Sequence, residues 1–203
     1  MIASALATFA RLLSGASVRW AEPPGHMKQR VFFGNHASHL DFVIIWSALA
    51  PELRAHTRPV AGADYWNRGA IRRYLAGHVF RAILTERGDS GSAEHAKVAI
   101  QGIAAGMGND CSIIVFPEGT RSLDGQLKPF KSGLYHLCCL KPGLELIPVY
   151  LANLHRILPK GEIMPVPLLG RVIFGAPLSL QSGEDKAAFL ARARDALLAL
   201  RPQ

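Results

Sequence analysis

The sequence predicts an α/β fold: a single domain with a mixed, mostly parallel sheet flanked by helices, preceded by an N-terminal amphipathic helix. Three observations carry this. Short β-branched or aromatic runs alternate with longer segments of helical character along the chain. One run, Ser112-Ile113-Ile114-Val115-Phe116, is almost continuously apolar, as a strand covered on both faces should be. The 203 residues, 49% apolar and 19% charged, suffice for a sizeable core and are too apolar for global disorder.

The elements follow in order. In Met1–Leu13, Ile2, Leu6, Phe9 and Leu13 recur at helical spacing, a stripe that suits either the protein's own core or a membrane interface. Arg11 interrupts it and no basic segment precedes it, so it is a poor signal peptide. No segment reaches the roughly 18 uncharged apolar residues of a spanning helix. Glu22-Pro23-Pro24-Gly25 is a strong break, and the chain divides into the helix of residues 1–20 and a domain of residues 21–203. Val31–Phe33 reads as a strand, Phe42–Leu49 as a helix ended by Pro51, and Arg58–Gly62 as another strand. Tyr65–Leu75 reads as a helix interrupted by Gly69, Val79–Leu84 as a strand, and Ser92–Met107 as a helix. After the 112–116 strand come a helix over Lys131–Leu140, a strand over Leu144–Tyr150, a Pro/Gly-rich loop over Leu158–Gly170 and a strand over Val172–Phe174. Glu184–Leu200 closes the chain as a helix with Ser182 as its cap. There is no internal repeat, low-complexity tract or second domain.

The charge narrows the classes of partner. With 23 Lys+Arg against 15 Asp+Glu the net charge is +8, which suits an anionic membrane, a phosphorylated substrate or nucleic acid. The basic residues are scattered without interleaved aromatics, which argues against nucleic acid. Cys111, Cys138 and Cys139 form neither an even framework nor a CxxC pair, and read as buried thiols of a reducing compartment.

Two segments carry chemistry. Asn35-His36-Ala37-Ser38-His39-Leu40-Asp41 lies between a strand and an apolar helix, where α/β proteins place functional loops. A histidine can take a proton near neutral pH, and a carboxylate can fix its tautomer and stabilise the imidazolium. Five residues do not stack on one helix face, so His36 and Asp41 meet only if His36 sits in the turn and Asp41 in the first helical turn. Spacing alone does not separate His36 from His39 as the base, and Ser38 or Asp41 could equally serve as a helix cap. No complementary ligand cluster accompanies these residues, so no metal is expected.

The second segment, Phe116-Pro117-Glu118-Gly119-Thr120-Arg121-Ser122, begins where the buried strand ends. Its turn offers backbone N–H groups, the Thr120 and Ser122 hydroxyls and the Arg121 guanidinium, all phosphate-binding parts. Glu118 would repel an anion unless paired. Lys131, at the expected start of the next helix, and Arg87, in the polar turn Thr85-Glu86-Arg87-Gly88-Asp89, are further candidate anion ligands.

On these residues the chain resembles the glycerolipid acyltransferases of the lysophosphatidic acid (1-acyl-sn-glycerol-3-phosphate) acyltransferase type, over about residues 30 to 150. Asn35, His36, Ser38 and Asp41 match the family's Asn-His-x-Ser-x-x-Asp block, which contains its HX4D motif. Phe116–Ser122 matches Phe-Pro-Glu-Gly-Thr-Arg-Ser, Phe130–Gly133 resembles Phe-Lys-x-Gly, and Ile147-Pro148-Val149 resembles a fourth block. The resemblance implies His36 and Asp41 as the catalytic pair, with His39 at a variable position. It implies acceptor binding by Glu118, Gly119, Thr120 and Arg121, with Lys131 beside them, and by Arg87. At that last position the family's Gly and Asp are replaced, since this chain reads Ala82-Ile83-Leu84-Thr85-Glu86-Arg87.

The implied activity moves an acyl group from a thioester donor, acyl-CoA or acyl carrier protein, to a lysophospholipid hydroxyl with no further cofactor. The implied place is the cytoplasmic face of an anionic membrane, peripheral or monotopic. Another lyso-lipid acceptor, or a non-catalytic lipid-binding role for the same fold, is the alternative.

Overall fold

The structure is a computed structural model that describes residues 2–23, 28–38, 40–86, 93–122, 126–152 and 170–202. Its strands are β1 (Ser17–Trp20), β2 (Arg30–Gly34), β3 (Thr57–Gly62), β4 (Ile83–Thr85), β5 (Ser112–Val115), β6 (Glu145–Ala152) and β7 (Arg171–Phe174). Its helices are α1 (Ile2–Ser14), α2 (Asp41–Ala48), α3 (Pro51–Ala55), α4 (Ala63–Trp66), α5 (Ala70–Tyr74), α6 (Ala93–Met107), α7 (Gly133–Leu140) and α8 (Lys186–Leu198). The strands form one seven-stranded sheet in the order β1-β7-β6-β2-β5-β3-β4. β2 to β6 run parallel to one another, β7 is antiparallel to β6, and β1 pairs parallel with β7. The expected mixed, mostly parallel sheet is therefore present.

The strand period of two divides the core. In β2, Phe32 belongs to the cluster on one face while Val31 and Phe33 belong to the cluster on the other. Ile114 and Ile113 of β5 divide in the same way. Both faces are covered, which is why these strands read as continuous apolar runs. The first cluster packs α1, α2 and the Trp66–Phe80 segment; the second packs α6, α7 and α8. Helix α2 is buried nearly all round because it lies under α1 as well as on the sheet. Arg11 of α1 donates to the Ser47 and Leu49 carbonyls at the far end of α2 and satisfies groups the helix leaves open.

Connections that step from β2 to β3 or from β3 to β4 cross on the α2 face, and those that step back from β4 to β5 and from β5 to β6 cross on the α6–α7 face. A single crossover hand requires this alternation. The neighbours β2 and β5 thus send their chains to opposite faces. The crevice at their carboxyl ends is the switch point where open α/β sheets bind ligands.

Several boundaries differ from expectation, each for a local reason. The expected helix Tyr65–Leu75 is split into α4 and α5 because Gly69 adopts φ +84°, open only to glycine. The expected strand Val79–Leu84 begins only at Ile83; residues 75–79 form a π-helical turn, and Phe80 is drawn into an edge-to-face cluster with Phe42, Trp46 and Trp66. The cap of α8 is Asp185, whose Oδ1 accepts the Ala187 and Ala188 N–H groups at 2.7 and 2.9 Å, and not Ser182.

Helix α7 starts at Gly133, two residues past Lys131. Strand β1 was not expected: its four residues are mostly exposed, and it is held by pairing with β7 and by Trp20 stacking on Phe174 at 3.8 Å. Cys139 is exposed, whereas Cys111 and Cys138 are buried. Burial, with the neighbouring Cys139, pushes the Cys138 thiol up to about 12, which leaves it inert. Residues 158–169 of the expected loop lie outside the described residues.

Candidate functional site

The two chemistry-bearing segments leave the adjacent strands β2 and β5 and meet at the switch point. His36 sits in the turn after β2, and α2 begins at Asp41, the placement that a five-residue separation demands. His36 Nδ1 lies 2.9 Å from Asp41 Oδ2. The same oxygen accepts the Ala37 and Ser38 backbone N–H groups at 2.7 and 2.8 Å. These bonds hold a carboxylate that is only 1% exposed and would otherwise be costly to bury. A carboxylate at Nδ1 selects the tautomer protonated there and leaves Nε2 as a proton acceptor. The ring is 18% exposed and stacks on Phe116 at 4.2 Å, so its orientation is set by a bond at one edge and an aromatic face below. His39 lies outside the described residues.

The Phe116–Ser122 turn is registered against the His36 turn through Glu118. This buried carboxylate, 3% exposed, accepts the His36 N–H at 2.8 Å and the Lys128 N–H at 2.9 Å. Ser122 in turn donates its N–H to the His36 carbonyl at 2.7 Å. Glu118 therefore faces the backbone, with both oxygens engaged by peptide N–H groups and, among the described residues, no ion pair to a base. Its geometry is that of a positioning residue, in contrast to the acceptor-binding role implied by resemblance.

Gly119 adopts φ +70° and a Cβ there would lie 2.8 Å from Lys131 Cε, so the Lys131 side chain lies directly over the glycine. That close approach brings Lys131 to the turn although it precedes the helix rather than starting it, and its own N–H bonds the Pro117 carbonyl. Gly119 and Thr120 are exposed, and Arg121 is half-buried. Among the described residues neither the Arg121 nor the Lys131 cation is paired with a carboxylate. Arg87 lies outside the described residues.

Three participants were not singled out from sequence. Asn35 continues the β2–β6 ladder with its side chain, donating to the Leu151 carbonyl at 3.0 Å and accepting the Leu151 N–H at 2.8 Å. Phe116 supplies the face under His36. Lys128 donates Nζ to the Arg121 carbonyl at 2.8 Å and closes the turn. An Asn directly after a strand, an aromatic directly before Pro117 and a Lys soon after Arg121 were the available signals.

An apolar cavity of about 180 Å³ begins at Phe116, Pro117 and Gly119 and continues between Val60, Ile103 and Leu134. Proton acceptor, basic turn and apolar cavity thus share one carboxyl edge. That combination suits a substrate with a hydroxyl, an anionic group and a hydrocarbon chain. Among the described residues no group of three or more His, Cys, Asp or Glu is placed to hold a metal.

The chain is similar to several known proteins. The 1-acyl-sn-glycerol-3-phosphate acyltransferase of Limnanthes douglasii is 32% identical over 151 residues, covering 70% of this chain and 49% of the relative. The enzyme of that name from Cocos nucifera is 30% identical over 158 residues, covering 77% and 48%, and the one from Haemophilus influenzae is 26% identical over 136 residues, covering 64% and 50%. The chain spans about half the length of these relatives. Among solved structures, the 1-acyl-sn-glycerophosphate acyltransferase PlsC of Thermotoga maritima shares the fold with a TM-score of 0.71 at 18% identity, over 98% of this chain and 78% of that one. A family model described as Acyltransferase matches residues 22–152, a span that holds both turns and the strands that carry them, and the chain belongs to that family.

Proposed function

We propose that the protein transfers a fatty acyl group from a thioester donor to the free hydroxyl of a lysophospholipid, with 1-acyl-sn-glycerol-3-phosphate as acceptor and phosphatidic acid as product, in phospholipid biosynthesis. The observation that carries this reading is the His36–Asp41 pair, with Asp41 Oδ2 held by the ring and two amides so that Nε2 is left as acceptor.

In this reading His36 Nε2 takes the proton of the acceptor hydroxyl as its oxygen attacks the thioester carbonyl carbon. The tetrahedral intermediate collapses, the carbon–sulfur bond breaks, and the leaving thiolate recovers the proton from the imidazolium. No acyl-enzyme forms, and the Cys138 thiol, pushed up by burial, is no competitor as nucleophile. General base catalysis supplies roughly 10²–10⁴-fold, and positioning supplies much of the rest. Arg121, Lys131, the Gly119 amide and the Thr120 hydroxyl hold the acceptor phosphate, joined by Arg87 on the family pattern. The cavity beyond Phe116 takes acyl chain. The donor is acyl-CoA or acyl carrier protein, and the reaction takes place at the cytoplasmic face of an anionic membrane.

The test is a panel of acyl-CoA and acyl carrier protein donors against lysophosphatidic acid, other lysophospholipids and a lyso-aminolipid, with products identified by mass spectrometry. Phosphatidic acid from the wild type, and its loss in folded His36→Ala, is the expected outcome. Undiminished turnover by His36→Ala overturns the mechanism; transfer only to another lyso-lipid overturns the acceptor assignment.

A further inference from the structure

Exposed apolar side chains are unevenly distributed between the two layers that flank the sheet. Among the described residues the α6–α7–α8 layer exposes Val98 and Leu140, at 57% and 50%. The opposite layer exposes Ile2, Phe9 and Leu12 of α1 at 57%, 58% and 78%, and Ile71 and Tyr74 of α5 at 77% and 46%. Helix α1 still packs inward through Ala7, with Ala3 and Leu6 against the same cluster, so its outer face is additional to its core contact.

The α5 tip has a second property. Residues 67–74 are all exposed, and no acidic residue occurs between Asp64 and Glu86, whereas Arg68, Arg72, Arg73 and Arg81 do. The exposed Ile71 and Tyr74 share the short helix α5 with Arg72 and Arg73, the composition of an interfacial segment. Arg72 is held over the Tyr65 ring at 4.2 Å, which fixes its charge at the surface. The tip is tied to the site as well. Helix α4 starts directly at the carboxyl end of β3, on the edge that carries the His36 turn. Trp66 packs edge-to-face on Phe42, the residue after Asp41, at 5.5 Å.

We propose that the Arg68–Tyr74 tip, with the outer face of α1, docks the protein on an anionic lipid bilayer and presents the His36 edge to the lipid headgroups. The proposal rests on the reading that the acceptor is a membrane lipid. Its electrostatic part comes from Arg68, Arg72 and Arg73, which form no ion pair among the described residues and are drawn to an anionic leaflet. Its apolar part comes from side chains already exposed, so docking costs no unfolding of the core.

The test is co-sedimentation with phosphatidylcholine vesicles that contain phosphatidylglycerol, with pure phosphatidylcholine vesicles as reference, for the wild type, Ile71→Asp and the pair Arg72→Glu/Arg73→Glu. We expect salt-sensitive wild-type binding to the anionic vesicles, weakened about tenfold or more in the variants. Turnover of water-soluble short-chain substrates should be retained. A second measurement does not depend on loss: Ile71→Cys in a Cys139→Ser background, labelled with an environment-sensitive fluorophore, should shift to the blue on anionic vesicles. Variants that bind like the wild type, or a label that does not respond, overturn the docking surface. An unchanged vesicle affinity with a raised KM for acyl carrier protein overturns it in favour of an acidic protein partner. Intact docking without any turnover of soluble substrates supports the surface and instead defeats the acyl-transfer reading.

Discussion

The His36 turn and the Phe116–Ser122 turn close at the same sheet edge, each around one buried carboxylate, but by different means. Asp41 serves a ring and two amides that all lie within the five residues before it. Glu118 serves the amides of His36 and Lys128, 82 and 10 residues away in sequence. The first is a local device that orients a proton acceptor. The second is a clamp that sets one turn against the other and fixes where the basic groups stand relative to the imidazole. Orientation of the acceptor group is thus encoded in one short segment, while registration between acceptor group and anion site is encoded only across the fold.

The largest expected effect falls on the local device. His36→Ala should reduce acyl transfer by about 10²–10⁴-fold with the melting temperature little changed, measured by single-turnover assay and calorimetry on the same preparation. Asp41→Asn should approach it in rate, because an amide can present an N–H to Nδ1 and reverse the tautomer. If Asp41→Asn keeps full activity, the local carboxylate is a cap and nothing more.

Glu118 should differ in kind. Glu118→Ala leaves two peptide N–H groups without their acceptors, at roughly 1–3 kcal/mol each, so denaturant stability and turnover should fall together. Glu118→Gln keeps one carbonyl oxygen and should fall between. A Glu118→Gln protein of unchanged stability and turnover but raised acceptor KM would return Glu118 to the acceptor site and erase the contrast.

Arg121→Ala should leave the clamp intact and raise the acceptor KM about ten- to a hundredfold, the loss of a charge-assisted bond of about 1.5–3 kcal/mol. The donor KM should stay put. A rise in donor KM alone would move the anion site from acceptor to donor.

The smallest effect concerns a third carboxylate, at the opposite edge of the sheet. Glu145 bonds Lys28 at 2.8 Å and Arg30 at 3.0 Å. Burial pushes its carboxyl up, but the Lys28 and Arg30 bonds and charges outweigh burial and hold it below the usual carboxylate range. A depressed folded value means its contribution is present above the unfolded pKa, about 4.3, and is lost as pH falls through the folded value. Glu145→Gln should flatten that acid limb of the stability curve, measured by urea unfolding across pH. An unaltered limb would show that an ion-paired carboxylate across the sheet contributes no more than a solvated one.

The α/β class and the strands β2, β5 and β6 were readable from residues alone because each depends on period or burial; a His–Asp contact was readable as a possibility from spacing, and the family resemblance then selected His36 over His39. The segments that resisted are those whose conformation is decided from elsewhere. Strand β1 has no pattern of its own and exists through Phe174 and the β7 edge. The π-helical turn before β4 forms because Phe80 finds Phe42, Trp46 and Trp66. Asn35 looks like part of the chemistry, yet its amide completes a strand ladder with Leu151, 116 residues on.

By itself, then, the sequence determined which residue types stand at the ends of two buried strands and that a histidine and an aspartate could meet there. Only the tertiary structure decided that those strands are neighbours whose chains leave on opposite faces, which brings the two turns together. It alone decided that Glu118 spends both oxygens on the backbone and that α1 packs on the core while its outer face stays exposed. The physical reason is range. Helix and strand periods, caps and short turns are set by interactions among residues a few positions apart, whereas a buried carboxylate takes whichever N–H groups the folded chain brings to it, and those come from any distance along the sequence.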